Sequence, residues 1–276
     1  MCNLSGIKKA KDKCMFIREN IIFENDATIN GSMISKDEII DAVYEVSLKL
    51  IDEMKITSLK KIIIKRMAFF EKTLGTARTN GKSATIELAY VIAVNIKNDP
   101  KRNNKEKHKE AMATLYHEFC HVRDFELIWK RIIKEDGNIS KELEIGFDVW
   151  TEFFATYSSF TIYEDIRLYD AFKDSFQRNT SDKEYYTSKV LGYYLNKEHS
   201  IYCNELVEMY LNKGEVDKIV SCFERMISAY SEISESDLKE CGRLIQKTYE
   251  RGVLHDKLIP MNAYNLFFGK NNKFNI

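Results

Sequence analysis

The chain has 276 residues, 44% hydrophobic and 30% charged, with 42 Lys+Arg balanced by 42 Asp+Glu. That length supports one large domain or two small ones around a sizeable core, and the even charge gives no pull toward nucleic acid or an anionic membrane. No apolar signal segment opens the sequence, and its longest apolar stretch, about "AYVIAV", falls far short of the roughly 20 residues that span a bilayer.

Two prolines and eleven glycines predict a strongly helical chain. Residues 1–34 are polar and lack periodicity, and are expected to form a flexible N-terminal arm. "SKDEIIDAVYEVSLKLIDEMK" reads as a helix: Ser35 and Glu38 fit a capping box, and Ile39, Val43, Val46, Leu50 and Met54 follow helical spacing. "LKKIIIKRM" is rich in β-branched residues and reads as a strand. Asn80-Gly81 marks a hairpin turn, and "ATIELAYVI" alternates as a half-buried strand. The basic stretch "NIKNDPKRNNKEKHKE" reads as a solvated loop, because no aromatic side chains are interleaved to stack on bases. A long helix is expected from near Asn104. After a loop at "KEDGNIS", "GFDVWTEFFATYSSFTIYEDI" reads as a second, buried helix. From Asp182 the pattern is helical throughout. "ISESDLKECGRLIQKTYE" starts with capping residues at Ser234 and Ser236, with Asp237 in its first turn. The residues after Gly269 are expected to fray. The order predicts an α+β fold with a small early sheet: a core over 35–180 and a helical C-terminal subdomain over 181–276.

The six cysteines form no C-x-x-C pair, which excludes a zinc ribbon and a thioredoxin-like motif and suits reduced thiols in the cytoplasm. The long helix carries His117-Glu118-Phe119-Cys120-His121, a match to H-E-x-x-H. Positions i and i+4 share a helix face, so both imidazoles can reach one ion, with zinc the metal that suits nitrogen ligands and an open fourth position. Glu118 projects about 100° round the helix, where it would flank a water on the metal and act as general base. Chance alone produces the motif in roughly one of 100 such chains, but its apolar neighbours Leu115, Phe119, Cys120 and Val122 bury the helix. Buried histidines and a glutamate call for a partner.

"LGTARTNGKSATIEL", a loop and "TLYHEFCHVRD" resemble the strand and active helix of zincin metallopeptidases, over about residues 59–160. The likeness is greatest to compact bacterial and phage groups of the SprT-like and ImmA/IrrE types. It implies a zinc-dependent endopeptidase acting on a protein or peptide, holding one Zn2+ per chain, with substrate pairing along a cleft-edge strand, for which "ATIELAYVI" is the counterpart. SprT-like enzymes use a third histidine, but none follows His121 until His199. Metzincins need a glycine where Asp124 stands. That leaves the glutamate-ligand zincins, the gluzincins, whose third ligand lies on a second helix in the form E-x-x-x-D or E-x-x-A. "TEFFATYSS" supplies Glu152 through Ala155, with Thr156 in place of the aspartate.

The metal set is therefore His117, His121 and Glu152. Glu152 is preferred over Glu126, Glu135, Glu142 and Glu144 because Trp150, Phe153, Phe154 and Tyr157 surround it in sequence. Support for a histidine falls to Asp148 or Asp124, and an oxyanion could be met by Tyr157, Tyr163, Tyr193, Tyr194 or His199. The Met and aromatic stripes at Met209, Tyr210, Phe223 and Met226 are read as core. The alternative reading is a zincin-fold regulatory or interaction protein that does not cleave.

Overall fold

A computed structural model describes residues 16–24, 34–66, 74–98, 105–132, 139–163, 183–196, 207 and 211–252. The fold is α+β: a four-stranded sheet in the first part of the chain, then helices. Strand β1 (Ile21–Glu24) pairs in parallel with β2 (Leu59–Lys65), and β2 pairs in parallel with β4 (Ala84–Ala89). The remaining strand, β3 (Gly75–Thr79), runs antiparallel beside β4, giving the order β1-β2-β4-β3.

Helix α1 (Lys36–Met54) begins at the capping box expected from the sequence. The Ser35 amide donates to Glu38 Oε2 at 2.8 Å, and the Glu38 amide to Ser35 Oγ at 3.2 Å. The Asn80-Gly81 turn closes the β3–β4 hairpin: Asn80 Oδ1 accepts from the Ser83 amide at 2.9 Å, and Gly81 takes φ 85°, where glycine carries no steric penalty. Ile39, Val43, Ile62, Ile64, Ile86 and Leu88 pack between the sheet and the helices as one core.

Three expectations need correction. Phe16–Glu24 is no loose arm: Phe16 is buried and β1 takes a sheet edge, a four-residue strand too short to show a period. The rest of that arm lies outside the described residues except Ile34. The strand expected over "ATIELAYVI" stops at Ala89. Tyr90 opens helix α2 (Tyr90–Lys97), where Ile92, Ala93 and Ile96 are buried at helical spacing. A short apolar run fits either period, and here the helical one wins. The second helix also starts earlier than Gly146, at Lys141.

Helix α3 (Lys105–Asp124) carries the histidine motif and continues through a π-helical turn (Phe125–Trp129) into the short α4 (Lys130–Ile132). Glu126 in that turn accepts from the Thr57 amide at 2.8 Å and from the Ser58 amide, which ties the end of α3 to the segment before β2. Helix α5 (Lys141–Tyr163) packs against α3. Helices α6 (Lys183–Leu195), α7 (Lys213–Ser228) and α8 (Glu235–Gly252) follow, with α6 and α8 against α5 and α7 against α8. Trp150, Phe153 and Phe223 centre a second core among these helices. At the α5–α8 crossing, a Cβ on Gly146 or Gly242 would collide with the backbone carbonyl of Leu238 or Glu142, so only glycines allow this approach. The expected boundary near residue 180 and the tail after Gly269 lie outside the described residues. Among the described residues, no helix is long and apolar enough to cross a membrane.

Candidate metal centre

α3 and α5 lie side by side, and their contact brings three ligand-type side chains together. His117 and His121, one turn apart on α3, bring their Nε2 atoms to 3.0 Å. Glu152 on α5 answers with both carboxylate oxygens: Oε2 stands 3.6 Å from His117 Nε2, and Oε1 stands 3.5 Å from His121 Nε2. Each residue offers one such atom within 4.8 Å of the others. An ion bound tetrahedrally at about 2.1 Å would hold its ligand atoms about 3.4 Å apart. The observed spacings fall on either side of that figure. Glu152 Oε2 is buried and makes no hydrogen bond of normal geometry, only the longer ionic contacts to His117 and Lys189, which leaves it able to accept a cation.

The groups around the cluster keep both histidines neutral and oriented. Burial, only partly opposed by Glu152, pushes His121 down to about 3, and burial also lowers His117. Both are therefore neutral, with lone pairs to give. Each has a partner on its far side. His117 donates to the Ala155 carbonyl, and His121 Nδ1 lies 2.9 Å from Thr151 Oγ1. With Nε2 facing the cluster, the Nδ1 proton goes to Thr151, which fixes ring and tautomer. The Thr151 hydroxyl and the Trp150 indole in turn lie against the Asp124 carboxyl, although Asp124 Oδ2 and Trp150 Nε1 form no hydrogen bond of normal geometry. Asp124 is fully buried at the end of α3 and accepts from the Tyr230 hydroxyl, whose ring lies 4.5 Å from the Arg123 guanidinium. Burial raises the Asp124 pKa to about 7. Of the two carboxylates considered for histidine support, Asp124 is the one that lies against Thr151, the partner of His121. Asp148 is raised by burial, Glu144 and Glu152 to about 6.

Glu118 sits beside the cluster rather than in it. Burial and then the charge of Glu152 raise its pKa to about 8, while the Ala77 amide on β3 donates to its carboxylate. A Cβ at Gly75 would lie 2.8 Å from Glu118 Cγ and Oε1, so the glycine makes room for this side chain. The expectation that β4 forms a cleft edge is not met. β4 has partners on both sides in β2 and β3 and offers no free edge. Among the described residues β3 pairs with β4 alone, and β3 packs against α3 more extensively than β4 does.

Lys189 on α6 is the residue the sequence did not announce. Its Nζ lies 3.5 Å from Glu152 Oε2 and 4.4 Å from the centre of the Tyr185 ring. Burial would raise the Glu152 pKa, but Lys189 and the two histidines together hold it well below the usual carboxylate range. Of the tyrosines considered for an oxyanion, the ring of Tyr163 lies edge-on to Tyr116, that of Tyr193 edge-on to Phe160, that of Tyr157 stacks on Phe153, and Tyr194 packs partly buried against the helical core. His199 lies outside the described residues. Nor do the aromatics next to Glu152 enclose it. Trp150, Phe153 and Phe154 stack with one another, Phe223 and Tyr230 in the helical core, and Glu152 turns toward the histidines and Lys189. Of the other carboxylates, Glu126 is spent on Thr57 and Ser58, and Glu135 lies outside the described residues.

Compared with protein-family models, curated proteins and solved structures, the chain matches none.

Proposed function

We propose that the protein is a zinc-dependent endopeptidase of gluzincin type, acting in the cytoplasm on an extended segment of a protein or peptide. The observation that carries this reading is the convergence of His117, His121 and Glu152, with Glu118 held next to them but outside the ligand set. Two neutral imidazoles and a carboxylate are a donor set that zinc accepts with one position left open. When bound, zinc supplies Lewis acidity and lowers the pKa of water. The chain's own groups do the rest. Glu118 takes a proton from the attacking water and returns it to the leaving amine; buried beside the cluster, it has a pKa near 8 without metal, close to a working pH. The free edge of β3, next to Glu118, is where a substrate backbone adds as a further strand. Lys189 offers a positive charge at the Glu152 side of the cluster. The thiols of Cys120, Cys222 and Cys241, all free, are in keeping with a reducing compartment.

The test is Glu118→Gln, assayed with a peptide library and for metal content. The expected variant keeps one zinc per chain and loses hydrolysis by about 10²–10⁴-fold, because an amide cannot accept the proton. Cleavage at the wild-type rate would overturn the reading, as would a wild-type chain that holds zinc and cleaves nothing.

A further inference from the structure

Far from the histidine cluster, three sulfur atoms meet between α7 and α8. Cys222 and Met226 are one turn apart on α7 and share a face. Their sulfurs are 3.8 Å apart. Cys241 comes from α8, with its sulfur 3.9 Å from that of Cys222 and 3.9 Å from that of Met226. The three form a nearly equilateral triangle. All three residues are buried, and neither cysteine is in a disulfide.

We propose that Cys222, Cys241 and Met226 form a binding site for one cuprous ion, separate from the zinc centre. The centre of such a triangle lies about 2.2 Å from each sulfur, close to the roughly 2.3 Å of a metal–thiolate bond. The ligands can thus close on an ion in a trigonal plane with little movement. Two thiolates and a thioether are the soft donors that select Cu(I) over harder divalent ions. Binding releases the two thiol protons, and the resulting site carries one negative charge. A cation is already in place to meet it: Arg225 Nη2 lies 3.5 Å from Cys222 Sγ and is anchored to Asp237 Oδ1 at 3.0 Å. There is also a way in. A cavity of about 370 Å³ reaches Cys222 between Arg225, Glu240 and Leu244. Sulfur packing alone accounts for burial, but it does not call for a guanidinium against one sulfur and an opening to it.

The experiment uses the full chain, reduced, kept anaerobic and first given one equivalent of zinc. Cu(I) is titrated against bicinchoninate, a coloured cuprous chelator, with copper-edge X-ray absorption on the product. The expected result is one Cu(I) withdrawn per chain with the zinc retained, three sulfur neighbours, and a raised Tm because the ion joins α7 to α8. Met226→Leu, which conserves volume and so preserves the fold, should weaken Cu(I) binding by about tenfold, and Cys222→Ser with Cys241→Ser should remove it. The proposal is overturned if the wild type takes no Cu(I) from the chelator, if the double variant competes as well as the wild type, or if the bound copper shows nitrogen ligands.

Discussion

Gly75 and Lys189 show how single side chains set what the centre can do. A methyl group at residue 75 would press on Glu118 Cγ and Oε1 at 2.8 Å, while His117 and His121 leave α3 from a different face and Glu152 lies on α5, so all three keep their places. Gly75→Ala should therefore retain zinc and lose peptide hydrolysis by about tenfold or more, since a base displaced by even a fraction of an ångström loses alignment. Metal analysis beside a rate assay checks it, and an unchanged rate would count against Glu118 as the base. Lys189 competes with any metal for Glu152, from 3.5 Å. Lys189→Met removes that competitor, so zinc should bind at least as tightly as in the wild type. A chelator competition reads this directly. Weaker binding would show that Lys189 instead holds Glu152 in its ligating position.

The sequence disclosed part of this residue-scale chemistry. His117, Glu118 and His121 were legible because one helical turn encodes their geometry. The aromatic neighbours that single out Glu152 in the sequence face the helical core, and what brings Glu152 to the histidines is the α3–α5 contact, which no local pattern records. Thr151, Lys189 and Tyr230 were not legible. Each reaches the site from another element, Tyr230 from 106 residues beyond Asp124, and no local period records such a meeting.

Between elements, the chain from His121 through Thr151 and Asp124 to Tyr230 links α3, α5 and the turn between α7 and α8. The C-terminal helices thereby help to hold His121 in orientation. Tyr230→Phe removes the hydroxyl that donates to Asp124 and leaves a buried carboxyl short of a donor. We expect a loss of about 1–3 kcal/mol in stability by denaturant titration, and zinc affinity lower by about tenfold. Asp124 also gives the fold a pH dependence. Its pKa is raised from 3.8 to about 7 by burial. Its protonated form thus favours the folded state at acidic pH, and that contribution is lost as pH rises from about 4 to about 7. Asp124→Asn cannot ionise. Between pH 4 and 8, without metal, its Tm should fall less than that of the wild type, and parallel curves would contradict the assignment. Elements were read from the sequence where they were long or capped. Ser35 and Glu38 at the start of α1 and Asn80-Gly81 in the hairpin state their geometry locally. The four residues of β1 and the switch from strand to helix at Tyr90 do not, because runs that short fit both periods.

At the scale of the whole molecule, α5 belongs to both cores. Ala155 packs with the sheet cluster, Trp150 and Phe153 with the helical one, and Glu152 lies between. The centre forms where the two cores meet, so it depends on both being folded. That is also why the α+β class was readable while the join was not: composition and period report each half, but the α5–α8 crossing rests on two glycines, Gly146 and Gly242, that only contact reveals. The claim that unites these scales is that α3 and α5 together bind one zinc ion through His117, His121 and Glu152. The most direct measurement is anomalous scattering at the zinc edge from crystals grown with zinc. The account predicts one strong peak about 2.0–2.2 Å from a nitrogen of each histidine and an oxygen of Glu152. A peak with Glu152 turned away and another side chain in its place, or no peak between these helices, would contradict it.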